Sequence, residues 1–238
     1  MPTLSVVIPA YNEERFIAAL LERVAAVDLS QRGLATEIIV VDDCSKDRTA
    51  DIAAAVPGVT LVRLTKNGGK GGAVRAGIAR ATGDFVIIQD ADLEYDPNDY
   101  VPMLDALLDR GVDVVYGSRY MRRLEAGAFG TGRHPGQSWA AYLGGRSLSV
   151  ACWLCTGRYL TDTVTALKLF RREAIRSISL ETSGFELDHE ISAKMLAQGR
   201  QIVEVPISYF PRSKAEGKKI GARDWFVAVT TFRRFRRG

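Results

Sequence analysis

The densest chemistry in this chain lies in Phe85-Val86-Ile87-Ile88-Gln89-Asp90-Ala91-Asp92-Leu93-Glu94. The stretch begins as an unbroken apolar run, the pattern of a strand buried on both faces, and ends in acid. Alternate side chains of an extended chain share a face, so Asp90, Asp92 and Glu94 are expected to converge at the strand's C-terminal edge. Carboxylates held that close repel one another unless a cation sits between them. Hard oxygen ligands of this kind suit Mg²⁺ or Mn²⁺, which keep waters and take further oxygens from a substrate diphosphate. The competing reading is a solvated acidic turn before a helix, since Asp96-Pro97 makes a good N-cap and N1 pair. That accounts for Asp96 and leaves the acids at the mouth of a buried strand unexplained.

The flanking elements repeat this plan. Leu4 to Pro9 reads as a first strand, followed by Ala10-Tyr11-Asn12-Glu13-Glu14 and a helix to about Val27, with Asn12 as its N-cap. A dinucleotide fold would place glycines at that turn for close approach of pyrophosphate. Here Pro9, Tyr11 and two glutamates stand there, which argues against a nicotinamide or flavin enzyme. Glu37 to Asp43 is a second strand ending in acid, and Asp42 is placed to accept from a ribose hydroxyl or a base N–H. Asp43 and Asp47 can equally be helix caps. Val59 to Leu64 is a third strand, and Lys66-Asn67-Gly68-Gly69-Lys70-Gly71-Gly72 opens the helix after it. Such glycines let backbone N–H groups approach an anion, although the Walker A spacing is absent.

A helix over 98–109, a strand over 112–116 and Gly117-Ser118-Arg119-Tyr120 complete the first half. Successive β-α units predict a parallel, doubly wound α/β sheet with its chemistry at the C-terminal strand edges. The second half differs. Residues 122–137 are rich in Gly and basic side chains and read as a loop, and 138–156 as a mostly apolar helix. Gly184 to Glu190 opens a helix to about Gln198, and 201–206 is a further strand. A basic loop from Pro211 to Ile220 precedes an amphipathic helix with an arginine-rich end.

With 238 residues, 47% hydrophobic and 25% charged, the chain has ordinary globular composition. Its +4 charge is local, because Arg233, Arg234, Arg236 and Arg237 account for four of the basic groups, so nucleic acid is not implied. Three cysteines form no disulfide framework, and no leader-like segment precedes the first strand, which together point to a reducing cytoplasm. Cys152 and Cys155 have CxxC spacing without a second pair to complete a zinc site, so they read as small residues on one helix face.

In order, VVIPAYNEE, VVDDCSKDRT, NGGKGGAVRAG, QDADLEYDP, VYGSRY, DTVTALKLFRREA and VEVPISYFPRSKAEGKKI resemble the family 2 glycosyltransferases of the GT-A fold. The resemblance covers nearly the whole chain and is nearest to the polyprenyl-phosphate hexosyltransferases, the dolichyl-phosphate mannose synthase group. It implies one GT-A domain: a nucleotide-sugar-binding half over 1–120, an acceptor half over 121–221 and a basic amphipathic helix over 222–238. It implies that Pro9, Tyr11, Glu13 and Asp42 hold the nucleoside, with Lys70, Asp90 and Ala91 also on the donor. Asp90 and Asp92 would bind its diphosphate through Mg²⁺ or Mn²⁺, with Glu94 as a third metal-facing group. Arg119 would lie near an anionic acceptor, with Arg212, Lys214, Lys218 and Lys219 in a loop that closes over phosphates. Arg133 and Arg146 are further acceptor candidates, although the 122–137 loop departs from the family pattern.

The implied reaction is inverting transfer of a hexose from a GDP- or UDP-sugar to a polyprenyl phosphate, catalysed by Asp92, Arg119, Asp162 and Asp188. A phosphate monoester is already a nucleophilic anion near neutral pH, whereas a hydroxyl acceptor needs a base, for which Asp188 and Glu186 are the candidates. Both are alternatively plain first-turn helix acids. Asp162 either orients Arg119 or caps a turn. A lipid-linked acceptor places the protein on the cytoplasmic membrane face, where the terminal arginines beside Phe232 and Phe235 fit anionic headgroups and a membrane-protein partner has room. The competing functions are the same fold with a hydroxyl acceptor, a sugar-1-phosphate nucleotidyltransferase, and a silent nucleotide-binding module. The nucleotidyltransferase would need a Gly- and Arg-rich loop where Tyr11-Asn12-Glu13 stands.

Overall fold

The computed structural model of the protein describes residues 1–121, 139–211 and 222–237. Seven strands among them form one sheet: β1 (Thr3–Ala10), β2 (Ala35–Asp42), β3 (Val59–Arg63), β4 (Phe85–Ile88), β5 (Val114–Ser118), β6 (Lys168–Arg171) and β7 (Ile202–Pro206). Their spatial order is β3-β2-β1-β4-β6-β5-β7. All neighbouring pairs are parallel except the two made by β6, which runs antiparallel between β4 and β5. The helices are α1 (Ile17–Ala25), α2 (Thr49–Ala54), α3 (Gly69–Arg80), α4 (Tyr100–Asp109), α5 (Trp139–Thr156), α6 (Arg172–Arg176), α7 (Leu187–Ala197) and α8 (Ala222–Phe235).

Strand alternation explains the two cores. On β1, Leu4, Val6 and Ile8 face one way, into a cluster with Leu20 and Leu21 of α1 and Met103 and Leu104 of α4. Val7 faces the other way, toward Val74 of α3, Ile191 of α7 and Phe232 of α8. β4 is buried on both faces, as its continuous apolar run requires.

The expected elements form, with shifts of a few residues at their ends. Asn12 does not cap α1, which starts five residues later. It adopts a left-handed conformation (φ 57°), and its Oδ1 accepts from the Lys46 N–H at 2.8 Å, tying the β1 loop to the β2 loop. Asp96 does cap its turn, accepting from Asn98 N at 3.0 Å. The first-half strands run parallel as their β-α order predicts, and β6, from the second half, is the antiparallel member of a mostly parallel sheet. Its approach from the opposite direction brings the residues before Lys168, rather than those after Arg171, to the edge where the parallel strands end.

Candidate active site

β1, β2, β4 and β5 all finish on one edge of the sheet, and β6 begins there. Ala10 is in register with Asp42, Val7 with Ile88, and Ile88 and Tyr116 with Lys168. The backbone at this edge is strained: Asn12, Cys44 and Leu93, one in each loop after β1, β2 and β4, are the non-glycine residues with positive φ among the described residues. Such conformations cost about 1–3 kcal/mol each and persist where surrounding bonds over-determine them. Those bonds are present. Asn12 N donates to Ser45 Oγ at 3.0 Å, Glu13 N to Thr49 Oγ1 at 2.8 Å, and Cys44 Sγ to the Leu64 carbonyl at 3.0 Å.

Asp42 is buried at the end of β2, where Ser45 N donates to its carboxylate at 3.3–3.4 Å. Pro9 is half-buried at the end of β1, Tyr11 is 44% exposed and the Glu13 backbone is tied to Thr49. Asp43 is a structural acid: Gly68 N donates to its Oδ1 at 2.6 Å, which fixes the start of the glycine-rich loop. Asp47 likewise accepts from Thr49 N at 3.0 Å.

The glycine-rich loop does not lie open to an anion. It packs against the backbone of 182–184, with Gly71 N donating to Ser183 O at 2.7 Å. Gly69 has φ +70°, and a Cβ at Gly71 would run into Thr182 O and lie 2.9 Å from Ser183 Cα. The glycines therefore permit a close backbone–backbone approach, and that approach aims Lys70 into the site. Lys70 Nζ sits 2.8 Å from Asp90 Oδ1 and 3.5 Å from Asp188 Oδ2. Burial lowers the Lys70 pKa, but the Asp188 and Asp90 charges outweigh it and hold the ammonium well above its ordinary value.

Asp90 is steadied from behind by Gln89, which is fully buried, donates to the Asp90 carbonyl at 2.9 Å and accepts from Tyr100 OH at 2.7 Å. Glu94 Oε2 accepts from Tyr209 OH at 2.8 Å, and among the described residues no three acidic, His or Cys side chains converge as a metal cluster. Asp92 Oδ1 accepts from Glu94 N at 3.2 Å within the same turn. The acids suited to a cation are thus the pair Asp90 and Asp92. One or two carboxylates completed by phosphate oxygens and water is the usual protein share of a Mg²⁺ site, so these residues fit the ion.

Arg119 follows β5 and forks onto Asp162, Nε to Oδ2 at 2.6 Å and Nη2 to Oδ1 at 2.7 Å. The guanidinium also lies 5.1 Å from the Tyr209 ring centroid. Asp162 belongs to the segment that enters β6, and Glu204 of β7 pins that segment by accepting from Thr161 N at 2.7 Å and Asp162 N at 2.9 Å. Arg146 of α5 donates to Thr161 O at 2.9 Å and to Tyr159 OH. Tyr95 links the two sides: its phenol is raised chiefly by burial, with Arg119 opposing and Asp162 and Asp90 adding to the rise. Arg133, Arg212, Lys214, Lys218 and Lys219 lie outside the described residues.

Asp188 is buried, and Lys168 Nζ donates to its Oδ1 at 2.6 Å. Burial raises its pKa, yet the Lys168 and Lys70 charges prevail and hold the carboxyl below its ordinary value. Glu186 Oε1 accepts from Gly184 N at 3.1 Å. Both acids considered as bases are therefore engaged. Sequence reasoning missed Lys168, a fully buried lysine that also donates to Thr165 O. The available signal was a single cation in the apolar run Ala166 to Phe170, which demands a buried partner.

The glycosyl transferase family 2 profile matches residues 5–179. The chain belongs to glycosyl transferase family 2. This family 2 chain is 32% identical over 229 residues to the dolichol-phosphate mannosyltransferase of Pyrococcus furiosus, covering 92% of itself and 59% of that protein. It is 35% identical over 223 residues to the undecaprenyl-phosphate 4-deoxy-4-formamido-L-arabinose transferase of Edwardsiella ictaluri, covering 90% and 62%. The chain thus spans about three fifths of the length of these relatives. Glucosyl-3-phosphoglycerate synthase from Mycobacterium tuberculosis, in complex with Mn²⁺, UDP and phosphoglyceric acid, superposes with a TM-score of 0.67. That pair is 24% identical, with 97% of this chain and 77% of that one covered. The likeness establishes the GT-A fold: a mostly parallel seven-stranded sheet flanked by helices.

Proposed function

We propose that this family 2 chain is an inverting hexosyltransferase that moves a hexose from a GDP- or UDP-sugar to a polyprenyl phosphate. The observation that carries the choice of acceptor is the engagement of Asp188 and Glu186, Asp188 between two lysines and Glu186 on Gly184 N–H. A hydroxyl acceptor needs one of them as a base, whereas a phosphate brings its own negative oxygen. The polyprenyl-phosphate relatives support the same choice.

In this reading Pro9, Tyr11, Glu13 and Asp42 receive the nucleoside, and residues 1–120 form the donor half. Asp90 and Asp92, with Glu94 beside them, would hold Mg²⁺ or Mn²⁺, and the ion would supply Lewis-acid stabilisation to the leaving diphosphate. Arg119, fixed by Asp162, places the acceptor phosphate with its forked donors. A phosphate oxygen attacks the anomeric carbon from the face opposite the diphosphate. The new C–O bond forms as the old one breaks, and the nucleoside diphosphate leaves with the bonding electrons.

Contact with a membrane surface follows from a lipid acceptor. Among the described residues no helix is long and apolar enough to cross a membrane. Trp139, Leu143, Val150, Trp153 and Leu154 of α5 are exposed at helical spacing, and α8 lies against α5 with Trp225 Nε1 donating to Ser147 Oγ at 2.8 Å. Phe232 and Phe235 do not join such a surface. They are buried in the core, with the Arg234 guanidinium 4.7 Å from the Phe235 ring centroid, while Arg233, Arg236 and Arg237 are exposed.

The test is nucleoside diphosphate release from a panel of GDP- and UDP-hexoses with Mg²⁺ or Mn²⁺, with and without a short-chain polyprenyl phosphate. Lipid-dependent release that Asp92→Asn abolishes is expected. Release that ignores the lipid and responds to a sugar hydroxyl refutes the acceptor assignment.

A further inference from the structure

Four charged side chains form a chain through the site: Lys168, Asp188, Lys70 and Asp90. Lys168 is fully buried and fixed, its ammonium 2.6 Å from Asp188 Oδ1 and also donating to Thr165 O. Lys70 is held differently. Its ammonium lies 2.8 Å from Asp90 Oδ1 and 3.1 Å from Asp90 Oδ2, so it straddles both oxygens of that carboxylate, while Asp188 Oδ2 waits 3.5 Å away. The Asp90 side chain is 23% exposed and that of Asp188 6%. One seat thus opens toward the substrate and the other toward the core.

We propose that Lys70 is a built-in counter-ion that covers the metal-binding oxygens of Asp90 until the donor arrives, and that Asp188 is the seat it shifts to. The proposal rests on the metal reading above. A divalent ion on Asp90 cannot share those oxygens with an ammonium, because two cations at ion-pair distance repel. The flexible four-carbon stem of lysine allows a small swing, and Asp188 accepts it without a new desolvation cost. With Asp92, the second acid assigned to the ion, the groups sum to one negative charge. A divalent ion alone would leave the site with an excess of one positive charge, whereas one that arrives with a diphosphate brings its own neutralising anion. Lys70 therefore disfavours the bare ion and admits the ion–donor pair.

The experiment is Mn²⁺ titration of the full chain, followed by the electron paramagnetic resonance of free Mn²⁺, with no nucleotide and with UDP or GDP. Wild type is expected to bind Mn²⁺ weakly alone and tightly with the nucleotide. Removing a charge-assisted bond of this kind is expected to tighten nucleotide-free Mn²⁺ binding about ten- to a hundredfold in Lys70→Met and in Lys70→Gln. Asp90→Asn should lose Mn²⁺ in both conditions. The double variant Lys168→Met/Asp188→Leu removes the second seat as a neutral pair, and should weaken Mn²⁺ binding even with nucleotide present. Urea midpoints accompany each variant, so that an unfolded protein is not read as an empty site. Nucleotide-free Mn²⁺ affinity that is unchanged in both Lys70 variants overturns the counter-ion. Wild type that binds no Mn²⁺ even with nucleotide overturns the metal reading, and the counter-ion with it.

Discussion

Asp162→Asn isolates what the buried pair with Arg119 contributes. The substitution keeps the side chain's shape but only one of its two acceptor oxygens: Arg119 N donates to Oδ2 at 3.2 Å and Val164 N to Oδ1 at 3.3 Å, so one of these N–H groups loses its acceptor. Also lost is the charge facing a guanidinium whose side chain is 17% exposed, from a carboxylate that is 1% exposed. Removing one partner of a buried pair typically costs about 3–5 kcal/mol, because the remaining ion is left uncompensated. For a chain of this length that corresponds to a fall in Tm of about 6–20 °C. Urea unfolding followed by far-UV circular dichroism measures it as a shift in midpoint at constant slope. Arg119→Met/Asp162→Asn, which removes both charges, should recover most of the loss while turnover stays low. A single-variant loss below about 1 kcal/mol, the range of exposed pairs, would refute the picture of a dry, pinned guanidinium. So would a double variant as unstable as the sum of the singles.

Gly71→Ala should destabilise by about 1–3 kcal/mol, since its Cβ meets backbone atoms of 182 and 183 that cannot rotate away; nucleotide affinity measured by calorimetry should fall with it as Lys70 is displaced. Burial pushes the His189 imidazole down to about 4, with the Asp188 charge opposing, so the folded state keeps it neutral where the unfolded chain protonates it. Its folded pKa lies below the unfolded value of about 6.5, so stability is full above pH ~6.5 and is lost progressively as the pH falls to about 4. The loss is roughly 3 kcal/mol, and urea midpoints across that range should flatten in His189→Gln. Leu154→Glu on the exposed stripe of α5 should lower co-sedimentation with anionic phospholipid vesicles while leaving turnover of a short, soluble polyprenyl phosphate intact.

The first half was readable because parallel strands buried on both faces announce themselves, and acids at their ends have few structural reasons to be there. The positions of Asp42 and Asp90 at strand ends and the capping role of Asp96 all follow from that local logic. What the sequence did not disclose depends on contacts between distant segments. The glycines at 69 and 71 carry the same signature whether they cradle an anion or admit another backbone, and the decision rests with residues 182–184, more than a hundred positions away. Glu94 alternates correctly with Asp90 and Asp92 along the chain. The left-handed turn at Leu93 and the bond Glu94 accepts from Tyr209 OH are not periodic signals. Phe232 and Phe235 illustrate the same limit. Aromatics beside arginines look alike at a lipid surface and on a helix whose other face enters the core.

The reversed strand β6 also bears on how the protein is made. β1 to β4 can pair with one another as soon as they leave the ribosome. β5 pairs with β6 and β7, both of which come later in the chain. Val114, Val115 and Tyr116, all fully buried in the finished sheet, must therefore wait about fifty residues for a neighbour. At translation rates of ~5–20 residues per second, that is a delay of roughly 3–10 s with an apolar strand edge unpaired. The same reversal that delivers Asp162 and Lys168 to the site leaves β5 an exposed apolar strand that a chaperone would shield during that interval.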